Sequence, residues 1–203
     1  MPRRPTSTPW RQGFLAMGNK ISKAIVIDAS VAQSAGGTDH PVSRLCREFL
    51  EAVLVICHRM AANPELLAEW NKHRSRFSST WLTAMVRKGK LVRLPEAGNK
   101  ELWSAFGGGD CPEKDYRNIS KDLHLIDAAM QTDGRVASLD EAVRGSLRNC
   151  LEQQPEIGKI AWVNPANEAE KAVEWLQTGA LAERPRLLRS FKSPAKASRK
   201  TKA

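Results

Sequence analysis

Short apolar runs alternate with amphipathic stretches along most of the chain. Ala24-Ile25-Val26-Ile27 is continuous, partly β-branched and ends in Asp28, the pattern of a strand buried on both faces. After the break at Gly36-Gly37, Pro41 opens a stretch with Leu45, Phe49, Ala52 and Val53 at helical spacing. Val53-Leu54-Val55-Ile56-Cys57 reads as a second strand. Asn63-Pro64 is a helix cap followed by a first-turn proline and starts a helix through Leu66, Leu67 and Trp70. Another helix carries Trp81, Leu82, Met85 and Val86, and a strand follows at Lys90–Leu94. Residues 95–119, with Gly107-Gly108-Gly109, read as a loop, because no strand–helix frame surrounds the glycines.

Ser120 reads as the cap of a helix with Leu123, Ile126, Ala129 and Met130 on its apolar positions, ended by Gly134. A strand at Arg135–Leu139, a helix through Ala142, Val143 and Leu147, a strand at Ile160–Val163 and a helix at Ala166–Leu176 complete the order. Alternation of this kind predicts an α/β fold, a three-layer α/β/α sandwich around a central parallel sheet.

Charge divides the chain further. Of 32 basic residues, 4 lie in residues 1–20 and 8 in residues 184–203, with no acid in either stretch. The rest holds 20 basic against 22 acidic residues, so the net +10 belongs to the ends. The expected division is a basic flexible extension at 1–20, a folded domain at 21–180 and a basic disordered tail at 181–203. No apolar run approaches the ~18 residues of a spanning helix, and the N-terminus lacks a secretory signal's apolar core. Translation starting at Met1 or at Met17 fits the pattern equally. Cys46, Cys57, Cys111 and Cys150 form no C-x-x-C pair and are expected as reduced thiols in a cytoplasmic protein.

The candidate chemistry is acidic. Asp28 and Asp140 follow predicted strands, where ligands gather in open parallel sheets. Asp122 falls in the first turn of its predicted helix, and Glu65 and Glu69 share a helix face. Each has a plain structural role open to it: a turn, a dipole contact, the cap of a helix for Asp140, a solvated face for the glutamates. Together, converging carboxylates demand a divalent cation or a raised pKa. All-oxygen ligands favour Mg²⁺ or Mn²⁺. Lys72, His73, Arg74 and Arg76 follow closely and are candidate phosphate contacts, or a solvated helix end. His124 is a candidate site-edge group or a core-edge histidine.

These residues resemble a PIN domain over about residues 23–165. The resemblance rests on Ile25-Val26-Ile27-Asp28-Ala29-Ser30, on Pro64-Glu65-Leu66-Leu67-Ala68-Glu69-Trp70, on Lys121-Asp122-Leu123-His124-Leu125-Ile126-Asp127-Ala128-Ala129 and on Val136-Ala137-Ser138-Leu139-Asp140. It implies a Mg²⁺- or Mn²⁺-dependent endoribonuclease, with Asp28, Glu69, Asp122 and Asp140 as catalytic metal ligands. Glu69 is preferred to Glu65 because the family's acid tends to be the later one in this helical motif. Ser30 and Ser138 would orient carboxylates, and Lys72, Arg74 and Arg76 would contact RNA. Asp127, roughly 140° round the helix from Asp122, should face away from the metal. The resemblance further implies RNA as substrate, a toxin–antitoxin role with a cognate antitoxin-like protein, and a homodimer. A catalytically inactive PIN-like domain that binds RNA or a protein partner is the alternative. A Rossmann-like small-molecule binder lacks the G-x-G-x-x-G expected after its first strand.

Overall fold

A computed structural model describes residues 22–99, 102, 104, 106, 111–152 and 154–191. Five parallel strands form one sheet in the order β3-β2-β1-β4-β5: β1 (Ala24–Ile27), β2 (Arg59–Ala62), β3 (Leu91–Arg93), β4 (Arg135–Ala137) and β5 (Ala161–Val163). The helices are α1 (Ala29–Ser34), α2 (Pro41–Val55), α3 (Pro64–His73), α4 (Arg76–Arg87), α5 (Glu113–Ile119), α6 (Leu123–Met130), α7 (Glu141–Asn149) and α8 (Ala172–Gln177). They flank the sheet in a three-layer α/β/α arrangement, as the alternation predicts. Every residue of β1, β4 and β5 is buried, because each strand is covered on both faces. Among the described residues no helix is long and apolar enough to cross a membrane.

The second strand is not Val53–Cys57. Val53, Leu54 and Val55 form the last turn of α2, and the strand is Arg59-Met60-Ala61-Ala62. The β-branched run is helical because Phe49, Leu50, Ala52 and Val53 continue one buried face. Lys90 closes that helix end, its Nζ donating to the carbonyls of Val53 (2.8 Å), Leu54 (2.9 Å) and Ile56. The small Met-Ala-Ala strand is selected by pairing instead, Met60 with Ile25 and Leu91, and Ala61 with Val26 and Val92.

Ser120 likewise ends α5 rather than starting a helix, and Asp122 occupies the cap position of α6. The last predicted helix is broken: Glu168–Glu170 form a 3-10 turn, Lys171 turns left-handed (φ 45°), and α8 begins at Ala172. Two further expectations change. Cys111 and Cys150 are joined in a disulfide, while Cys46 and Cys57 remain thiols. Burial pushes the Cys46 thiol up to about 12. The folded body also runs past residue 180. Leu187 and Leu188 are buried against β5, with an antiparallel bridge from Leu187 to Ala161 and a 3.0 Å bond from Leu188 N to Ile160 O. Apolar residues among the arginines overrule the charge that marked this stretch as tail. The N-terminal extension 1–20, the Gly107–Gly109 run and residues 192–203 lie outside the described residues.

Candidate active site

The chain leaves β1 toward β2 on one side, and β4 pairs on the other. The carboxyl ends of β1 and β4 therefore flank the switch point of the sheet, the place where open α/β sheets hold ligands. Asp28 is the first residue past β1. Its backbone N–H donates to Ala137 O at 2.9 Å, which fixes it to the end of β4. Its carboxylate Oδ2 accepts from Ser30 Oγ at 2.5 Å and from Ser138 Oγ at 2.7 Å. Those hydroxyls in turn accept backbone N–H groups, Ser30 from Leu139 (3.2 Å) and Ser138 from Asp140 (3.0 Å). The Asp28 carboxylate is thus oriented by two hydroxyls, and its Oδ1 takes no hydrogen bond from a described residue.

Asp140 caps α7, with Oδ1 accepting from Val143 N at 2.8 Å. The plain reading of this residue as a helix cap is realised, and its second carboxylate oxygen stays uncommitted among the described residues. Asp122 sits in the cap position of α6 but makes no capping bond with its side chain. Burial, and then the neighbouring carboxylates of Asp28, Asp140 and Glu69, push its pKa up to about 7, with Lys121 opposing slightly. The field of the three other acids thus reaches Asp122.

Glu69 reaches this field because its helix is pinned at two points. Asn63 accepts from Leu66 N with Oδ1 (3.0 Å) and donates from Nδ2 to His124 O (2.9 Å), tying the start of α3 to α6. Trp70 Nε1 donates to Ile27 O at 2.7 Å, tying α3 to the last residue of β1. His124 is buried beside Glu69, with Nε2 3.2 Å from Oε2 but off line for a well-formed hydrogen bond. Glu65 is used elsewhere: its two oxygens lie 3.1 and 3.2 Å from Ala97 N. Asp127 is buried and accepts from Gly98 N at 3.2 Å. These two acids hold the segment after β3 against α3 and α6, and neither contributes to the shift at Asp122.

Lys72, His73, Arg74 and Arg76 are exposed around the α3–α4 junction, starting three residues beyond Glu69. Among the described residues none of them makes an ion pair. Sequence reasoning missed the pinning roles of Asn63 and Trp70, although Asn63-Pro64 signalled the cap. Among the described residues no three His, Cys, Asp or Glu side chains stand close enough to hold a metal ion. Compared with known proteins, the chain matches no family model, no curated protein and no solved structure.

Proposed function

We propose that this chain is a Mg²⁺- or Mn²⁺-dependent endoribonuclease of PIN type. The observation that carries the reading is geometric: Asp28 and Asp140 stand beyond the adjacent strands β1 and β4, and Ser30 and Ser138 link the Asp28 carboxylate to the backbone of Leu139 and Asp140. Acids gathered at a sheet switch point cost stability unless a function uses them. The donor chemistry fits a hard divalent cation: it is all oxygen, anionic, and supported by hydroxyls that orient Asp28. Asp28, Glu69, Asp122 and Asp140 would hold it. Bound there, such a cation supplies an activated water and neutralises charge at phosphorus.

The chain's own groups do the rest. Ser30 and Ser138 keep the open oxygen of Asp28 facing the switch point. Trp70 and Asn63 hold Glu69 over it. Lys72, Arg74 and Arg76 offset the repulsion that an acidic pocket exerts on a polyanion, by contacting phosphates beside it. The second reading, a catalytically inactive PIN-like domain that binds RNA or a protein, is favoured by one observation: the acids do not close on a common point.

Incubation of the full chain with single-stranded RNA separates the two. The nuclease cleaves with Mg²⁺ or Mn²⁺, stops in EDTA, and stops with Asp28→Asn or Asp140→Asn. Cleavage that survives EDTA and both substitutions overturns the metal–carboxylate mechanism. Retention of RNA on the chain without cleavage under any metal supports the inactive domain.

A further inference from the structure

Helices α5 and α7 lie side by side with opposed directions. Cys111, just before α5, is bonded to Cys150 at the end of α7. Further along, Asp115 accepts from Ser146 Oγ (2.7 Å) and Asn149 Nδ2 (3.1 Å), and Asn118 Nδ2 donates to Ser146 Oγ (3.1 Å). At the far ends stand the acids: α5 leads through Ser120 and Lys121 into Asp122, and Asp140 caps α7. The disulfide is thus the base of a two-pronged unit with a carboxylate at each tip. Along α7 the base lies about 15 Å from the Asp140 tip.

We infer that the Cys111–Cys150 disulfide is a redox-sensitive brace, which keeps Asp122 in register with Asp140. The inference rests on the reading of those aspartates as one site. α5 depends on the brace for two reasons. It has seven residues, too few to be stable alone, and only Ile119 within it is buried. Beyond the disulfide it is held to α7 by three polar contacts, of which the one between Asp115 and Asn149 is exposed and the two at Ser146 are partly buried, while Tyr116 packs partly against the core.

Opening the brace takes two electrons from a dithiol. Both cysteines are buried, so opening requires a local loosening of the segment before α5; a reductant thiolate then attacks Cys111 Sγ and expels the Cys150 thiolate. The reductant's second thiol then closes its own disulfide and releases Cys111. The dithiol is oxidised, and both cysteines end as protonated thiols. The polar contacts outlast this step, so α5 loosens while the sheet stays folded.

The test uses the full chain. Alkylation under denaturing conditions should label two cysteines without reductant and four after dithiothreitol. Amide hydrogen exchange across 113–122 should then accelerate in the reduced protein and in Cys111→Ser, with the strands still protected. Mn²⁺ binding should weaken roughly tenfold in both, and Cys111→Ser should no longer respond to dithiothreitol. Four labels without reductant, or unchanged exchange across 113–122, overturns the inference. Absent Mn²⁺ binding alongside a clear exchange response defeats the metal reading and leaves the brace standing. If Cys111→Ser fails to fold, the reduced natural chain carries the test.

Discussion

The indole Nε1 of Trp70 donates to the carbonyl of Ile27 at 2.7 Å, so the helix that carries Glu69 is fastened to the strand that delivers Asp28. Asp28 directly follows Ile27, and Glu69 directly precedes Trp70. Trp70→Phe removes the donor and keeps a ring against Trp81, whose centroid is 5.6 Å away. The expected loss is about 1–2 kcal/mol of stability, because Ile27 O is left unpaired in the core. On the proposed function, Mn²⁺ binding weakens with it. Urea denaturation beside Mn²⁺ calorimetry checks both, and unchanged metal affinity would show that the bond serves folding alone.

Asp122 makes stability fall as pH rises. Its folded pKa is about 7 against an ordinary value of 3.8. Between those values the folded chain holds a proton that the unfolded chain has lost. Its contribution is complete below about pH 4, declines toward pH 7 and is flat above. Asp122→Asn should therefore gain on the natural chain as pH climbs through this window. Denaturant melts from pH 4 to 8 give the difference; parallel curves would show that neither burial nor the neighbouring acids raise the Asp122 pKa.

The two glutamates of α3 separate cleanly. Glu69→Gln removes one of the charges acting on Asp122 and should reduce RNA cleavage by roughly 100-fold or more. Glu65→Gln keeps an oxygen acceptor for Ala97 N and should leave cleavage within a few-fold. Equal losses in single-turnover assays would remove the basis for preferring Glu69.

Asn63 is fully buried and serves two elements. Asn63→Ala strips the cap from α3 and removes the bond to the His124 carbonyl, a cost of about 2 kcal/mol. Asn63→Ser keeps a capping hydroxyl but loses the Nδ2 donor, without setting a buried carboxylate against the His124 carbonyl. It should fall between the two in thermal melting; a loss matching that of Asn63→Ala would assign the whole effect to the bond with α6.

β1 and β4, and the positions of Asp28 and Asp140 beyond them, were legible because they depend on local pattern: Ile25–Ile27 before Asp28, and Val136–Ala137 before Ser138 and Asp140. β2 was hidden because Met60-Ala61-Ala62 has no β-branched residue and owes its conformation to β1 and β3. The cap of α6 was misplaced because Ser120 has capping chemistry at the wrong helix end. The disulfide joins residues 39 apart in sequence, and nothing local to either cysteine records the approach of α5 to α7. Asp127 was expected to face away from the site; its bond to Gly98, and that of Glu65 to Ala97, depend on where the segment after β3 runs.

Leu187 bridges Ala161 at the outer edge of β5. A chain ended at residue 180, where charge alone would draw the boundary, keeps all five strands but uncovers that edge. Its unpaired amides and carbonyls then form a template for a second copy. The few residues after Ala180 thus act as a guard against self-association, and their loss would register as turbidity and oligomers before any change at the acids.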